Sequence, residues 1–268
     1  FDFIFNFKNN NLIVRDMLLL FNDYKLSADE IIIKKIENEF FVRGKIDQKT
    51  LTLDRNELES YFEPFFSNFN IEKIKINSKN IFSFKFNNKF RFDDLKIDSR
   101  IKVDQLLFLN NLDLKNIFPN IKKNISFINN EVKVKYENKN LKVEGEGDFL
   151  FQDNIDFITY QLENKNNNLN FQSSLKVKNN PLIIDFLSFE KNKDNETRIY
   201  IKGKRNQSKE IRISSFSLAE KENKIEIENL ILNNKSEIIS FDNLNLNYFD
   251  KENVKNSIKI FKQNKEYV

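Results

Sequence analysis

One nine-residue template recurs near the C-terminal end of the sequence: IRISSFSLA (211–219), IEIENLILN (225–233) and ISFDNLNLN (239–247). Successive copies begin 14 residues apart, and a fourth copy, FRFDDLKID, occupies 90–98. Apolar residues stand at positions 1, 3, 6 and 8 of each copy, so the alternation typical of a β-strand slips by one residue in the middle. The template therefore predicts a repeated strand about 30 Å long.

A β-bulge explains the slip at the centre of each copy. One extra residue in a strand lets the apolar side chains that follow it return to the same face of the sheet. We expect the bulge at the central polar pair, as in Glu228–Asn229, Asp242–Asn243 and Asp93–Asp94. The pattern leaves one alternative open, which is two short strands separated by a tight bend.

Period-two alternation also runs through much of the remaining chain. Three such runs are Phe82–Phe86, 132–136 and 169–177, and clusters of Asn and Asp such as 87–88 and 138–140 separate the runs. Short polar clusters of this kind favour tight turns and therefore hairpins, not crossover helices. We expect a mostly β fold, an elongated antiparallel meander that forms an open, curved, repeating groove, with one or two short helices.

One helix is predicted after the alternating segment that ends near residue 54. Asp54 followed by Glu57 has the form of a capping box, and Leu58, Tyr61 and Phe62 then fall on one face of a helix. Pro64 is expected to end or kink this helix. The leucine-rich stretch 104–118 fits neither the helical nor the strand period, so its structure stays open at this level.

The domain organisation follows from the continuity of this pattern. We expect a single elongated β-repeat region over 1–268, an internal fragment of a longer chain, with a weak possible division near 104–124. The longest uninterrupted apolar run is Met17–Phe21. That run is far shorter than the roughly 20 residues that a membrane-spanning helix requires.

Composition excludes several classes of chemistry. The sequence has no Cys and no His, which removes disulfides, thiol nucleophiles and zinc sites built on these residues. The Asp93–Asp94 pair does not favour acid–base catalysis, because neighbours in a strand point to opposite faces and a pair in a turn is solvated. No Lys-Ser/Thr follows Gly145 and Gly147, so they indicate a bulge or strand crossing and not a phosphate site. The net charge of +4 comes from interspersed basic and acidic residues, not from a basic patch. We therefore expect a protein without catalytic residues, cofactor, metal or nucleic-acid partner.

The continuous apolar face is the candidate functional feature. Acyl chains would suit such a face if it remained open, because each methylene group removed from water contributes about 0.8 kcal/mol. The expected lining residues come from the fullest alternating runs: Phe82, Phe84, Phe86, Ile211, Ile213, Ile225, Ile227, Leu230, Leu232, Phe241, Leu244 and Leu246. The competing interpretation is a structural or adhesive β-repeat or β-sandwich module whose apolar face is fully buried.

Several segments of the sequence resemble one family of proteins. They are the unit at 225–233 with its copies, LSADEI (26–31), FVRG (41–44), FPNI (118–121), VKV (132–134) and VEGEG (143–147). These segments resemble the AsmA-like superfamily of bacterial envelope proteins (AsmA, TamB and YhdP), and most of all its YhdP-type members. The resemblance implies a periplasmic β-groove that carries phospholipid between the inner and outer membranes. It also implies an anchor in the inner membrane, supplied by a segment outside this chain.

Overall fold

The computed structural model describes residues 2–8, 11–21, 24–66, 70–111, 113–166, 168–207, 210–235, 237–263 and 266–267. Strands account for 73% of the chain and helices for 4%. Every strand pairing described is antiparallel. The prediction of a mostly β, antiparallel meander is therefore confirmed.

The chain divides into two compact units. Unit 1 comprises 1–108 and 128–145, and unit 2 comprises 109–127 and 146–268. The elements up to residue 150 are β1 (Asp2–Lys8), β2 (Asn11–Phe21), β3 (Tyr24–Ile36), β4 (Glu39–Asp54), α1 (Arg55–Phe66), β5 (Ile71–Asn87), β6 (Phe92–Leu109), β7 (Asn124–Glu137) and β8 (Asn140–Leu150). Within unit 1, β1 to β6 pair in sequential order.

Unit 2 contains the remaining strands. They are β9 (Asp156–Lys165), β10 (Asn168–Val177), β11 (Ile183–Ile184), β12 (Phe189–Glu190), β13 (Thr197–Arg205), β14 (Ile211–Glu220), β15 (Asn223–Leu232), β16 (Ile238–Ser240), β17 (Asn243–Phe249), β18 (Lys255–Gln263) and β19 (Glu266–Tyr267). In the main sheet of unit 2 each strand pairs with the next in the order β9, β10, β13, β14, β15, β17 and β18. The short strands β11 and β12 pair with each other inside the β10–β13 connection.

Left-handed backbone marks the centres of several strands. Asp94 and Asn229, the second members of two of the polar pairs, have φ of 51° and 52°. In the 211–219 copy the register slips because Lys202 lies opposite Ser215 while Gly203 lies opposite Ile213. These observations agree with a bulge at the polar pair in three copies.

The copy at 239–247 departs from the template. Residues 239–247 form no single strand, since β16 ends at Ser240 and β17 begins at Asn243. Here the alternative of two short strands separated by a bend applies. The structure also places left-handed Asp16 and Asn129, with φ of 50° and 51°, within β2 and β7, where the sequence analysis indicated no bulge.

The predicted capping box begins α1. The Asp54 backbone N–H donates to Glu57 Oε2 and the Glu57 backbone N–H donates to Asp54 Oδ1, both at 3.0 Å. Leu58 is buried, whereas the side chains of Tyr61 and Phe62 lie outside the described residues. Pro64 does not end the helix, which continues to Phe66. A proline removes only its own N–H bond and crowds the preceding turn, so the residues after it can remain helical.

The undecided stretch 104–118 is strand at its start. β6 runs through Leu109, with Leu106 opposite Ile74 and Leu107 opposite Lys73 of β5. A turn follows at 115–117. None of the helices in the described ranges has the length and apolar character needed to cross a bilayer.

Candidate functional site

Apolar side chains of unit 2 line up in rows across neighbouring strands. Residues directly opposite each other in an antiparallel pair project from the same face of the sheet. One row consists of Ile158, Leu175, Ile199, Leu218, Ile225, Leu246 and Ile258. The next row on that face consists of Tyr160, Ser173, Ile201, Phe216, Ile227, Leu244 and Ile260.

The opposite face of the same strands is predominantly polar. The row between those two consists of Thr159, Ser174, Tyr200, Ser217, Glu226, Asn245 and Lys259. Lys224 belongs to a similar outward row and pairs with Glu226 at 2.7 Å. Unit 2 therefore has one apolar face and one solvated face.

Unit 1 also has apolar rows that cross several neighbouring strands. One row consists of Phe5, Val14, Ile31, Gly44, Phe82 and Ile97. The next two rows consist of Phe7, Leu12, Ile33, Val42 and Phe84, and of Lys35, Phe40, Phe86 and Phe92. The period-two pattern of the sequence thus becomes a continuous apolar surface across β1 to β6.

Phenylalanine rings form a continuous cluster on this surface. Phe86 stacks on Phe40 with the ring centroids 4.8 Å apart, and on Phe90 at 5.9 Å. Phe84 lies 6.0 Å from Phe82 and 5.6 Å from Phe92. Phe82, Phe84 and Phe86 are half-buried by these contacts, whereas Phe90 and Phe92 at one end of the cluster are exposed. The cluster is therefore accessible to solvent at that end.

Two glycines make room for aromatic rings within the apolar rows. Gly44 lies opposite Phe82, and a Cβ atom at Gly44 would meet Phe82 Cζ at 3.0 Å. Gly203 lies opposite Phe171, and a Cβ atom there would meet Phe171 Cζ at 2.8 Å and the carbonyl oxygen of Arg212 at 2.5 Å. Each glycine lets a ring from the neighbouring strand lie across its backbone. In the sequence, the signal for both positions is a lone glycine within an alternating run.

The twelve expected lining residues fall in two groups. The first group is half-buried: Phe82, Phe84, Phe86, Ile211, Ile227, Leu232, Phe241 and Leu244. The second group is buried: Ile213, Ile225, Leu230 and Leu246. Register brings Ile225 together with Leu246 and Ile227 together with Leu244, while Phe241 lies in the gap between β16 and β17.

Part of the unit 2 face is covered by the connection between β10 and β13. Phe189 of this segment is fully buried, with its ring 6.1 Å from that of Tyr248. The Tyr248 hydroxyl donates to the carbonyl oxygen of Leu187 at 2.9 Å, and the Lys251 N–H donates to Ser188 at 2.8 Å. The segment covers this end of the face as a local second layer, which the sequence analysis did not predict.

Buried polar groups hold the covering segment in place. Lys191 Nζ donates to the carbonyl oxygens of Lys178 and Asn192, at 2.7 and 3.1 Å. Burial lowers the pKa of Lys191, although Glu220 and Asp156 act in the opposite direction. Burial also raises the pKa of Asp156, against hydrogen bonds from Asn180 and the Lys178 N–H.

An open polar cavity of about 680 Å³ adjoins Lys191. Its walls come from three loops: 190–195, 220–223 and 249–253. The carboxylate of Glu220 already accepts from the Asn192 N–H and from Asn223 Nδ2. Among the described residues no acidic cluster could hold a metal ion. The apolar face therefore remains the stronger candidate for function.

No protein-family model, no curated protein and no solved structure matches this chain.

Proposed function

We propose that this chain is a non-enzymatic lipid-binding segment whose apolar sheet face holds the acyl chains of phospholipids. The observation that carries the proposal is the aromatic surface of unit 1, where Phe82, Phe84 and Phe86 are aligned but only half-buried. A large aligned apolar surface left in water is unfavourable unless a partner covers it. An acyl chain is a suitable partner because it is long, flexible and apolar.

The energetics favour an extended apolar ligand over a compact one. Each methylene group that leaves water contributes about 0.8 kcal/mol, so several methylenes are needed to offset the cost of ordering the chain. The apolar rows across β1 to β6 provide such a path. These features support a groove that accepts acyl chains without selecting one precise shape.

The resemblance to the AsmA-like superfamily supplies the cellular part of the proposal. We assign the chain to a YhdP-type envelope protein of the periplasm, anchored in the inner membrane by a segment outside this chain. Its role would be phospholipid transport between the inner and outer membranes. The segments at 26–31 and 41–44 that carry the resemblance lie on β3 and β4 of the apolar sheet in unit 1.

A second candidate function has its own supporting observation. The segment around Phe189 covers part of the unit 2 face, as expected for a structural or adhesive β-module with a closed core. The two candidates differ in whether the rows beyond this cover are accessible to lipid.

Photo-crosslinking distinguishes them by comparing neighbouring positions on opposite faces. A photoreactive amino acid at 84 or 227 lies on the apolar face, while one at 83 or 226 lies on the polar face of the same strand. We expect phospholipid adducts at 84 and 227 in the folded protein within its native membrane, and none at 83 or 226. Equal labelling at both faces, or no labelling at 84 and 227, would support the closed structural module.

A further inference from the structure

The hairpin tip between β5 and β6 combines exposed aromatic and basic side chains. Phe90 and Phe92 are 73% and 68% exposed, among the most exposed large apolar side chains of the described residues. Lys89 and Arg91, which flank Phe90 in the sequence, are also exposed. Contiguous exposed apolar surface on a protein often marks a binding site.

The conformation of this tip is fixed by hydrogen bonds. Asn87 Oδ1 accepts from the N–H groups of Lys89 and Arg91, at 2.9 and 3.2 Å. The Phe90 N–H donates to the Asn87 carbonyl oxygen at 2.9 Å. Phe90 itself has φ of 54°, a left-handed conformation that bulky residues seldom adopt. The tip therefore presents Phe90 in a defined orientation.

The exposed rings are continuous with the aromatic cluster of unit 1. The rings of Phe90 and Phe92 each lie 5.9 Å from that of Phe86. Phe86 in turn stacks on Phe40, and Lys35 Nζ lies 5.6 Å from the centre of the Phe40 ring. An apolar path thus leads from the tip onto the face that we propose holds acyl chains.

Basic side chains stand next to the exposed rings of the tip and can contact anionic groups. Two acidic residues, Asp93 and Asp94, follow it, but Asp94 pairs with Lys85 at 2.5 Å. Lys89 and Arg91 remain beside the exposed rings. Two other described hairpin turns differ: β14–β15 combines Lys221 with Glu222, β17–β18 combines Lys251 with Asp250 and Glu252, and neither has a pair of exposed rings.

We infer that this tip docks onto the surface of an anionic phospholipid bilayer. Phe90 and Phe92 enter the interfacial layer, and Lys89 and Arg91 contact lipid phosphates, as in other interfacial segments that combine apolar and basic residues. The inference rests on the proposed function, because docking places the aromatic face of unit 1 next to the lipid that it would take up.

Vesicle flotation tests the inference with the whole chain. The probes are vesicles of phosphatidylcholine alone and vesicles of equimolar phosphatidylcholine and phosphatidylglycerol. We expect binding to the mixed vesicles, weakened about tenfold or more in Phe90→Ser/Phe92→Ser because two rings leave the interface. Lys89→Gln/Arg91→Gln should lose about tenfold on mixed vesicles and little on phosphatidylcholine.

Phe186→Ser is the matched control. Phe186 is 88% exposed but follows Asp185 and has no basic neighbour, so its replacement should leave flotation unchanged. Circular dichroism and thermal melting establish that every variant is folded. Equal flotation of the wild-type protein and the Phe90/Phe92 variant would overturn the inference. Sedimentation that shows oligomers of the wild-type protein but not of the variant would also overturn it, because the tip would then bind protein.

The two proposals can fail separately. Crosslinking at 84 and 227 reports on the face, whereas flotation reports on the tip. Adducts on the face without flotation would contradict docking alone. Flotation without adducts would contradict the groove and leave a membrane-binding β-module.

Discussion

At the scale of single residues, Gly44 and Gly203 allow side chains of neighbouring strands to approach the backbone closely. The space above Gly44 is limited by side-chain atoms of Ile31 and Phe82, both 3.0 Å from the position of a Cβ atom. The space above Gly203 is limited by a backbone oxygen as well as by a ring. Side chains can rotate away from an added methyl group, whereas a paired backbone carbonyl cannot without breaking the strand pairing.

We therefore predict that Gly203→Ala is more destabilising than Gly44→Ala. Overpacking of this kind costs about 1–3 kcal/mol, and Gly203→Ala should lie at the upper end. Urea unfolding of the two variants, followed by circular dichroism, measures the difference. Equal free energies of unfolding would show that the β13–β14 backbone adapts as easily as the Phe82 ring.

A second prediction at this scale concerns Asp250 in the β17–β18 turn. Its Oδ1 accepts from the Val254 and Glu252 N–H groups, at 2.9 and 3.0 Å, and these bonds help to lower the pKa of the carboxyl. A lowered pKa in the folded state stabilises the protein above the carboxyl's unfolded pKa, and this contribution is lost as pH falls through the folded pKa. Asp250→Asn should therefore lower the Tm at neutral pH but not in acid.

The measurement is the Tm of both proteins over a pH series. Glu222→Gln controls for the removal of one negative charge in the same part of unit 2. A Tm difference that stays constant from neutral pH into acid would contradict the assigned role of the Asp250 carboxylate.

At the scale of the strand, a left-handed Asx residue keeps the apolar side chains on one face. Ile225 and Leu230 are both buried although they are five positions apart, one on each side of the Glu228–Asn229 pair. Strict alternation would place side chains at i and i+5 on opposite faces. The bulge at Asn229 restores the face, and Asn229 Nδ2 also donates to Asp242 Oδ2 at 2.9 Å.

We predict that Asn229→Gly preserves the fold while Asn229→Val destabilises it by about 1–2 kcal/mol, since a β-branched residue is strained at positive φ. Asn170→Val is the matched control, because Asn170 is exposed in β10 and has no left-handed backbone. That substitution should be neutral or slightly stabilising in a strand. If both valine variants melt at the same temperature, strain at Asn229 does not determine the position of the bulge.

At the scale of the whole molecule, each unit uses the same strand pattern differently. The face of unit 1 has half-buried rings on β5, whereas part of the face of unit 2 lies next to the fully buried Phe189. A covered row stabilises the fold through packing more than an open row does. The free energies of unfolding of variants in the covering segment therefore show which of its residues belong to the core.

We predict that Phe189→Ala costs about 3–5 kcal/mol, as expected for removing a fully buried ring. Phe186→Ala, three residues earlier in the same segment, should stay within about 0.5 kcal/mol because its ring is exposed. Chemical unfolding of the two variants gives the comparison. Similar losses would mean that the segment does not form a packed layer over unit 2.

The sequence by itself determined the local features of this protein. The period-two rows, the polar pairs at the bulges and the capping box at Asp54 and Glu57 all depend on residues within a few positions of one another. Such short-range preferences depend little on the rest of the fold, so the sequence pattern was sufficient to predict these features. The same pattern predicted nine of the lining positions as members of repeated strands, and eight of them lie in β14, β15 and β17, the exception being Phe241.

Only the tertiary structure decided which rows are covered and which strand lies opposite which. Leu106 and Leu107 fit no period, yet pairing with β5 makes them strand. Phe171 lies over Gly203, and Phe189 covers the face near Tyr248, through contacts between residues far apart in the sequence. Such contacts depend on the register between paired strands and on the path of the long β10–β13 connection. Because each contact occurs only once, it produces no periodic pattern in the sequence.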